Sequence, residues 1–238
     1  SSVADDAFQY LSKWDHQMDK DSIGATIFAT FRIYLEEFSF KDDIDTIVGL
    51  PYLYEKYAGY APYLMPKIVD NISSTWFDDQ STPNTIETGD LIASKAFAAS
   101  IEFLEDELGS DVSTWKWGKL HKVIFQHPIG DNAPLVNFNE GNIANSGTSF
   151  TVKAAGGTPR WTSEGPEFVQ TNGQSMRFIA EVEPTWSKVS GIVTPGESGN
   201  YGNEHRADSV KDWVDTINHE WDFSTDPQRE TAFVFRKK

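Results

Sequence analysis

Residues 117–130 read WGKLHKVIFQHPIG, and three further segments follow in order: SGTSFTV at 146–152, GQSMRFIAEVEP at 173–184 and GESGNYGNEHRAD at 196–208. The first of these marks a change in the character of the chain. Most of the glycines and prolines lie from Gly118 onward, which favours strands and loops over long helices. Downstream, 150–154 (FTVKA), 176–182 (MRFIAEV) and 188–193 (KVSGIV) are short alternating or β-branched runs between turns, as strands should be. The stretch 210–217 reads as a short helix and 230–236 (ETAFVFR) as a final strand.

Upstream the period changes. Phe8, Leu11 and Trp14, then Ile23, Ile27, Phe31, Tyr34, Leu35 and Phe38, fall on helical stripes. Asp21 and Ser22 can cap the second helix through a short side-chain oxygen. A third apolar segment spans 44–56 with Pro51 interrupting it, and Pro62 and Pro66 bracket another start. The polar stretch 77–88 (FDDQSTPNTIET) reads as an exposed loop. Residues 91–108 give the clearest helix, with Gly109 ending it by taking a conformation other residues resist. The expected class is α+β: a helical segment over 1–112 followed by a strand-rich segment over 113–238.

The 238 residues include 36 Asp and Glu against 20 Lys and Arg, a formal net charge of −16. Such a field repels nucleic-acid phosphates and anionic membranes, and the one basic run, Arg236 to Lys238, is a terminal tail. There is no cysteine, so disulfides, thiolate metal sites and cysteine nucleophiles are excluded. No apolar run approaches the length needed to span a bilayer, and no signal-peptide pattern opens the chain.

The four segments resemble the C-terminal part of the β-chain of the penicillin acylase family, which are N-terminal nucleophile hydrolases. There the motifs read roughly WGxLHxxxFxHPL, GGxxTV, GxSxRxIxDL and GxSGxxxSPHYxD. LSKWDHQMDKDSIGATIFATF at 11–31 is similar to the family's helical segment LLxWDGxMxxDSxxA, so the resemblance covers nearly the whole chain. It implies a portion of the family's αββα sandwich. It also implies an enzyme that hydrolyses linear acyl amides, such as penicillins or acyl-homoserine lactones, without a cofactor. Family members are often exported, which points to an extracellular or periplasmic setting.

In this family the nucleophile is a β-chain N-terminal serine with its own α-amino group as base, since a serine hydroxyl needs a positioned base to attack at neutral pH. Backbone amides and an asparagine form the oxyanion hole. The family's Ser-Asn-x-Trp start has no counterpart here. Ser1-Ser2-Val3-Ala4 runs into the later helical segment, so Ser1 reads as a boundary residue and the chain as a C-terminal portion, inactive alone. Its expected partners are the upstream part of the same enzyme and an acyl-amide substrate. An apolar face left uncovered implies self-association or a partner.

Glu181 sits where related acylases carry Asp or Glu, and where a carboxylate orients a histidine near the nucleophile in cephalosporin acylases. Against that stands a local ion pair, because alternation places Arg177, Ile179 and Glu181 on one strand face. His205 and Asp208 match the family's SPHYxD, with Asn203, Glu204 and Arg206 replacing Ser, Pro and Tyr. Gly196, Ser198 and Gly199 read as a loop that brings His205 inward to line a cleft rim.

His121 and His127 match family positions, but their spacing does not suit a zinc site and they read as packing histidines. GESGN lacks the final glycine of a serine-hydrolase elbow, and no helix clearly follows it. Asp78, Asp79 and Glu87 lack the ligand order of a calcium loop, so no metal site is expected. The eight tryptophans are mostly core residues. The alternative function is a non-catalytic, acidic, Trp-rich binding or assembly module.

Overall fold

The computed structural model describes residues 2–47, 53–130, 139–182, 184 and 187–221. The chain is α+β as expected, helical to residue 108 and strand-rich after 118. By its contacts it divides into two units, Ser1–Gln174 and Ser175–Lys238. The change in composition at 109–115, read above as a division between 1–112 and 113–238, falls within the first unit. The 230–236 strand, the basic tail, Pro51 and Trp186 lie outside the described residues.

Helix α1 (Val3–Ser12) opens with a capping box: Ser2 Oγ accepts from the Asp5 amide at 3.2 Å and Asp5 Oδ2 from the Ser2 amide at 3.0 Å. Helix α2 (Ile23–Ile47) starts where expected, with Ser22 Oγ accepting from the Ala25 amide at 3.2 Å. It is longer than the sequence suggested, because it continues through Ile44, placed above in a separate segment. Three clusters around α2 explain its many apolar positions. Ile27 packs with Ile101, Leu104 and Trp115; Ala29 and Ile33 with Trp117 and Phe168; Phe40 with Tyr54 and Met65. The buried hydroxyls of Thr26, Thr30 and Ser39 each donate to the carbonyl four residues back, so their burial leaves no donor unmet.

Helices α3 (Leu53–Tyr57) and α4 (Ala61–Ile68) follow. Pro62 and Pro66 both lie inside α4 instead of bracketing its start. Pro62 is in the first turn, where its missing N–H has no intrahelical use. Helix α5 (Gly89–Leu108) ends at Gly109, whose φ of +82° and ψ of 170° suit only glycine at low cost. The Gly109 carbonyl then accepts from Trp115 Nε1 at 2.7 Å, which seats that indole in the core.

After the short α6 (Trp117–Leu120), β1 (Lys122–Phe125) pairs antiparallel with β2 (Glu140–Ala144). A bulge at Asn142, φ +60°, breaks their register. Strands β3 (Arg160–Thr162) and β4 (Gly165–Glu167) form a small hairpin. The strand expected at 150–154 is absent: these residues form turns and bends. Here the Thr151 hydroxyl accepts from the Thr148 amide at 2.9 Å and lies 2.9 Å from the Lys153 carbonyl, so side chain to backbone bonds replace a ladder.

In the second unit β5 (Met176–Val182), β6 (Ser187–Val193) and β7 (His219–Trp221) form one antiparallel sheet in that order. A Cβ at Gly191 would lie 2.6 Å from the Trp221 ring, so glycine lets the indole lie close to the sheet. Helix α7 (Val210–Val214) is shorter than the expected 210–217, and the chain turns at Thr216, φ +63°. No helix among the described residues is long and apolar enough to cross a membrane.

Candidate functional site

The second unit carries the residues singled out from sequence. Arg177 and Glu181 lie on β5 with the same parity, as alternation requires. Their expected ion pair is not formed. The Arg177 guanidinium donates instead to Asn218 Oδ1 at 2.6 Å, the Trp213 carbonyl at 3.1 Å and the Ile217 carbonyl at 2.8 Å. It thereby satisfies carbonyls at and beyond the end of α7, where a cation is also favoured by the helix dipole. Glu181 is exposed and sits across from Lys188. Lys188 Nζ bonds Glu220 Oε1 at 2.5 Å, and this bond, with a smaller pull from Glu181, raises its pKa. Glu181 therefore faces solvent, not the interior.

His205 and Asp208 do meet. Nδ1 of His205 lies 2.9 Å from Asp208 Oδ2, and that hydrogen bond raises the imidazole pKa above its ordinary value. The turn that holds them is built by short-range bonds. Asn203 Oδ1 accepts from the His205 amide at 2.9 Å, and the Ser198 amide donates to the His205 carbonyl at 3.0 Å. A Cβ at Gly196 would lie 2.4 Å from that carbonyl, so the turn needs glycine there. The loop does close on His205, but it leaves the ring 64% exposed instead of turned inward, and Arg206 is the buried neighbour. A carboxylate fixes the tautomer of such a ring and stabilises its protonated form. Ser198 does not sit on an elbow: its Oγ accepts from the Asn200 amide at 3.2 Å, and the next element is a 3-10 turn at Glu204–Arg206, not an α-helix starting at the serine.

In the first unit, three of the sequence segments converge. The Trp117 amide donates to the Ser22 carbonyl at 3.1 Å, the Gly118 amide to Lys20 at 2.7 Å and the Gly147 amide to Met18 at 2.7 Å. Trp117 Nε1 reaches the Gly147 carbonyl at 3.1 Å. Segments 14–22, 117–121 and 145–151 therefore form one packed feature. His121 is fully buried there, as a packing histidine should be, and its Nδ1 lies 2.8 Å from the Asn145 carbonyl. Burial pushes its pKa down to about 4. His127 is half-buried and lends Nδ1 to the Ile129 amide at 3.4 Å.

Two features escaped sequence reasoning. Glu87 is buried, although its loop reads as solvated. Burial drives its carboxyl up, but bonds from Thr82, Lys95 and the Asp79 amide outweigh this and hold it below the usual range. Among the described residues no acidic or histidine cluster could hold a metal. The second feature is the pair Arg32 and Glu36, 2.6 Å apart on α2, where burial raises the Glu36 carboxyl to about 7 against the pull of Arg32. Their i, i+4 spacing inside an apolar helix was the available signal.

A family model described as Penicillin amidase matches residues 1–230. The chain is 26% identical over 234 residues to the acyl-homoserine lactone acylase QuiP of Pseudomonas aeruginosa, covering 90% of this chain and 26% of that protein. It is 26% identical over 221 residues to QuiP of Pseudomonas syringae pv. syringae, covering 88% and 25%. A thermostable penicillin G acylase from Alcaligenes faecalis superposes with a TM-score of 0.49 at 13% identity, covering 100% of this chain and 44% of that one. The chain spans about a quarter of the length of the curated relatives it matches.

Proposed function

The chain belongs to the penicillin amidase family, and from that premise we propose that it is the C-terminal portion of an amidohydrolase acting on linear acyl amides. In that reaction water adds to the acyl carbon, the carbon–nitrogen bond breaks, and a carboxylic acid and an amine leave. The observation that carries the reading is the family match over 1–230 in a chain about a quarter as long as its relatives. Acyl-homoserine lactones are the first substrates to test, because the curated relatives are named for them.

The nucleophile, its amine base and the oxyanion donors belong, on this reading, to the upstream part of the enzyme. The second unit then contributes from the side. Exposed Glu181 faces the docked half and supports a histidine there, while His205 and Asp208 line the rim of the cleft. The three-stranded sheet is part of the sandwich that the whole enzyme builds. Trp115, Trp117 and Trp213 are fully buried and so offer no surface to the alternative, a Trp-rich binding platform.

Co-producing this chain with the upstream part of its parent and assaying homoserine-lactone release from acyl-homoserine lactones tests the proposal. Hydrolysis that needs both parts is expected. Two folded, associated parts with no activity toward any acyl amide would overturn it.

A further inference from the structure

Between α2, α4 and the turn at 147–151 lies a cavity of about 490 Å³, wholly within the first unit. Its size falls in the range of small-molecule sites, roughly 300–1,000 Å³, and so does its character of apolar walls with few polar groups. Trp14, Met18, Phe28 and Phe150 form the apolar lining, with the Trp14 and Phe28 rings 4.9 Å apart. Phe28 and Phe150 remain 38% and 52% exposed, so aromatic surface is open to an occupant.

Two basic side chains interrupt this lining. Arg32 lies 5.9 Å over the Phe150 ring, donating to Glu36 Oε1 at 2.6 Å and to the Pro159 carbonyl at 3.2 Å. A guanidinium carries five N–H donors, and among the described residues only these two bonds use them. Donors therefore remain for an acceptor entering the cavity. The raised Glu36 carboxyl neutralises the guanidinium only in part near neutral pH. His16 stands where the family segment has glycine, and its φ of +63° explains that glycine. Its ring packs edge-on against Trp14, centroids 5.3 Å apart, and so adds a wall that glycine would leave open.

We propose that this cavity binds a carboxylic acid bearing an apolar chain or ring, its tail on Trp14, Phe28 and Phe150 and its carboxylate on Arg32. The tail supplies most of the affinity, and the guanidinium selects a carboxylate over a neutral amide, since charge-assisted bonds are the stronger kind. Hydrolysis of an acyl amide releases acids of this class. That the occupant is the enzyme's own product rests on the function proposed above; the binding itself does not.

Isothermal titration calorimetry of the purified chain near neutral pH with octanoate, phenylacetate and octanamide tests the site. Octanoate should saturate it and bind about tenfold more tightly than octanamide, with phenylacetate showing whether a ring is accepted as well as a chain. Arg32→Met should abolish the preference for the acid. His16→Gly, which relieves the backbone, should weaken acid and amide alike. Equal binding of octanamide, no saturable binding of octanoate, or a preference that survives Arg32→Met would overturn the proposal. If Arg32→Met fails to fold, the ratio of octanoate to octanamide in the unsubstituted chain still decides. Two associated parts that hydrolyse no acyl amide, with octanoate still bound by the chain, would refute the proposed function and leave this site standing.

Discussion

The imidazole of His121 lies flat on the indole of Trp117, ring centroids 4.7 Å apart and planes within 9° of parallel. Its Nδ1 meets the Asn145 carbonyl, so the neutral ring with its proton on Nδ1 fits this site and the charged ring does not. This stack lies within the segment 117–130, and the His121 bond to the Asn145 carbonyl ties it to the residue just before the segment 146–152.

His121 and Glu36 pull stability in opposite directions. Burial lowers His121 from 6.5 to about 4, so the folded state loses up to about 3 kcal/mol as pH falls through that window. Burial raises Glu36 from 4.5 to about 7, so its share of stability is present below 4.5 and is lost, by a similar ~3 kcal/mol, as pH rises through 7. Denaturant unfolding of the wild type and Glu36→Gln at several pH values checks this. The stability difference, wild type minus variant, should fall steadily between these two pKa values; a difference independent of pH would show that Glu36 ionises normally.

His16→Gly should raise the thermal midpoint. A non-glycine residue at φ +63° costs about 1 kcal/mol, and the exposed ring gives little back. Calorimetric scans of the two proteins give the sign directly.

Arg177→Met should destabilise the second unit by about 2–4 kcal/mol, because two backbone carbonyls and Asn218 lose a charged donor at once. Glu181→Gln, at an exposed position, should change stability by less than about 0.5 kcal/mol. Hydrogen exchange at residues 210–218 would localise the first effect.

His205 should titrate above an ordinary histidine by NMR, and Asp208→Asn should bring its midpoint down. Gly196→Ala should have the same effect by displacing the His205 backbone. A midpoint indifferent to Asp208 would mean that the pair does not persist in solution.

Much of this was legible in sequence where local rules and packing agree. Ser22, Gly109 and the alternation of β5 each have a local physical cause, and each element appears where that cause places it. The run at 150–154 alternates like a strand yet folds as turns, because Thr148 and Thr151 hydroxyls satisfy the backbone that a ladder would otherwise use. Arg177 and Glu181 share a face as alternation demands, but the guanidinium is claimed by carbonyls some 40 residues away that no local pattern reveals. His205 finds Asp208 because three residues separate them; its exposure depends on the tertiary path of the loop. The cavity beside Arg32 is assembled from five separate stretches, so no single one announces it.

The most direct test is turnover of a chromogenic acyl anilide by the purified 238-residue chain, side by side with Ser1→Ala. If the nucleophile lies in the upstream part of the enzyme, as proposed, both proteins should release no anilide above the uncatalysed rate. Clear hydrolysis by the chain that Ser1→Ala abolishes would contradict this account and make Ser1 the nucleophile.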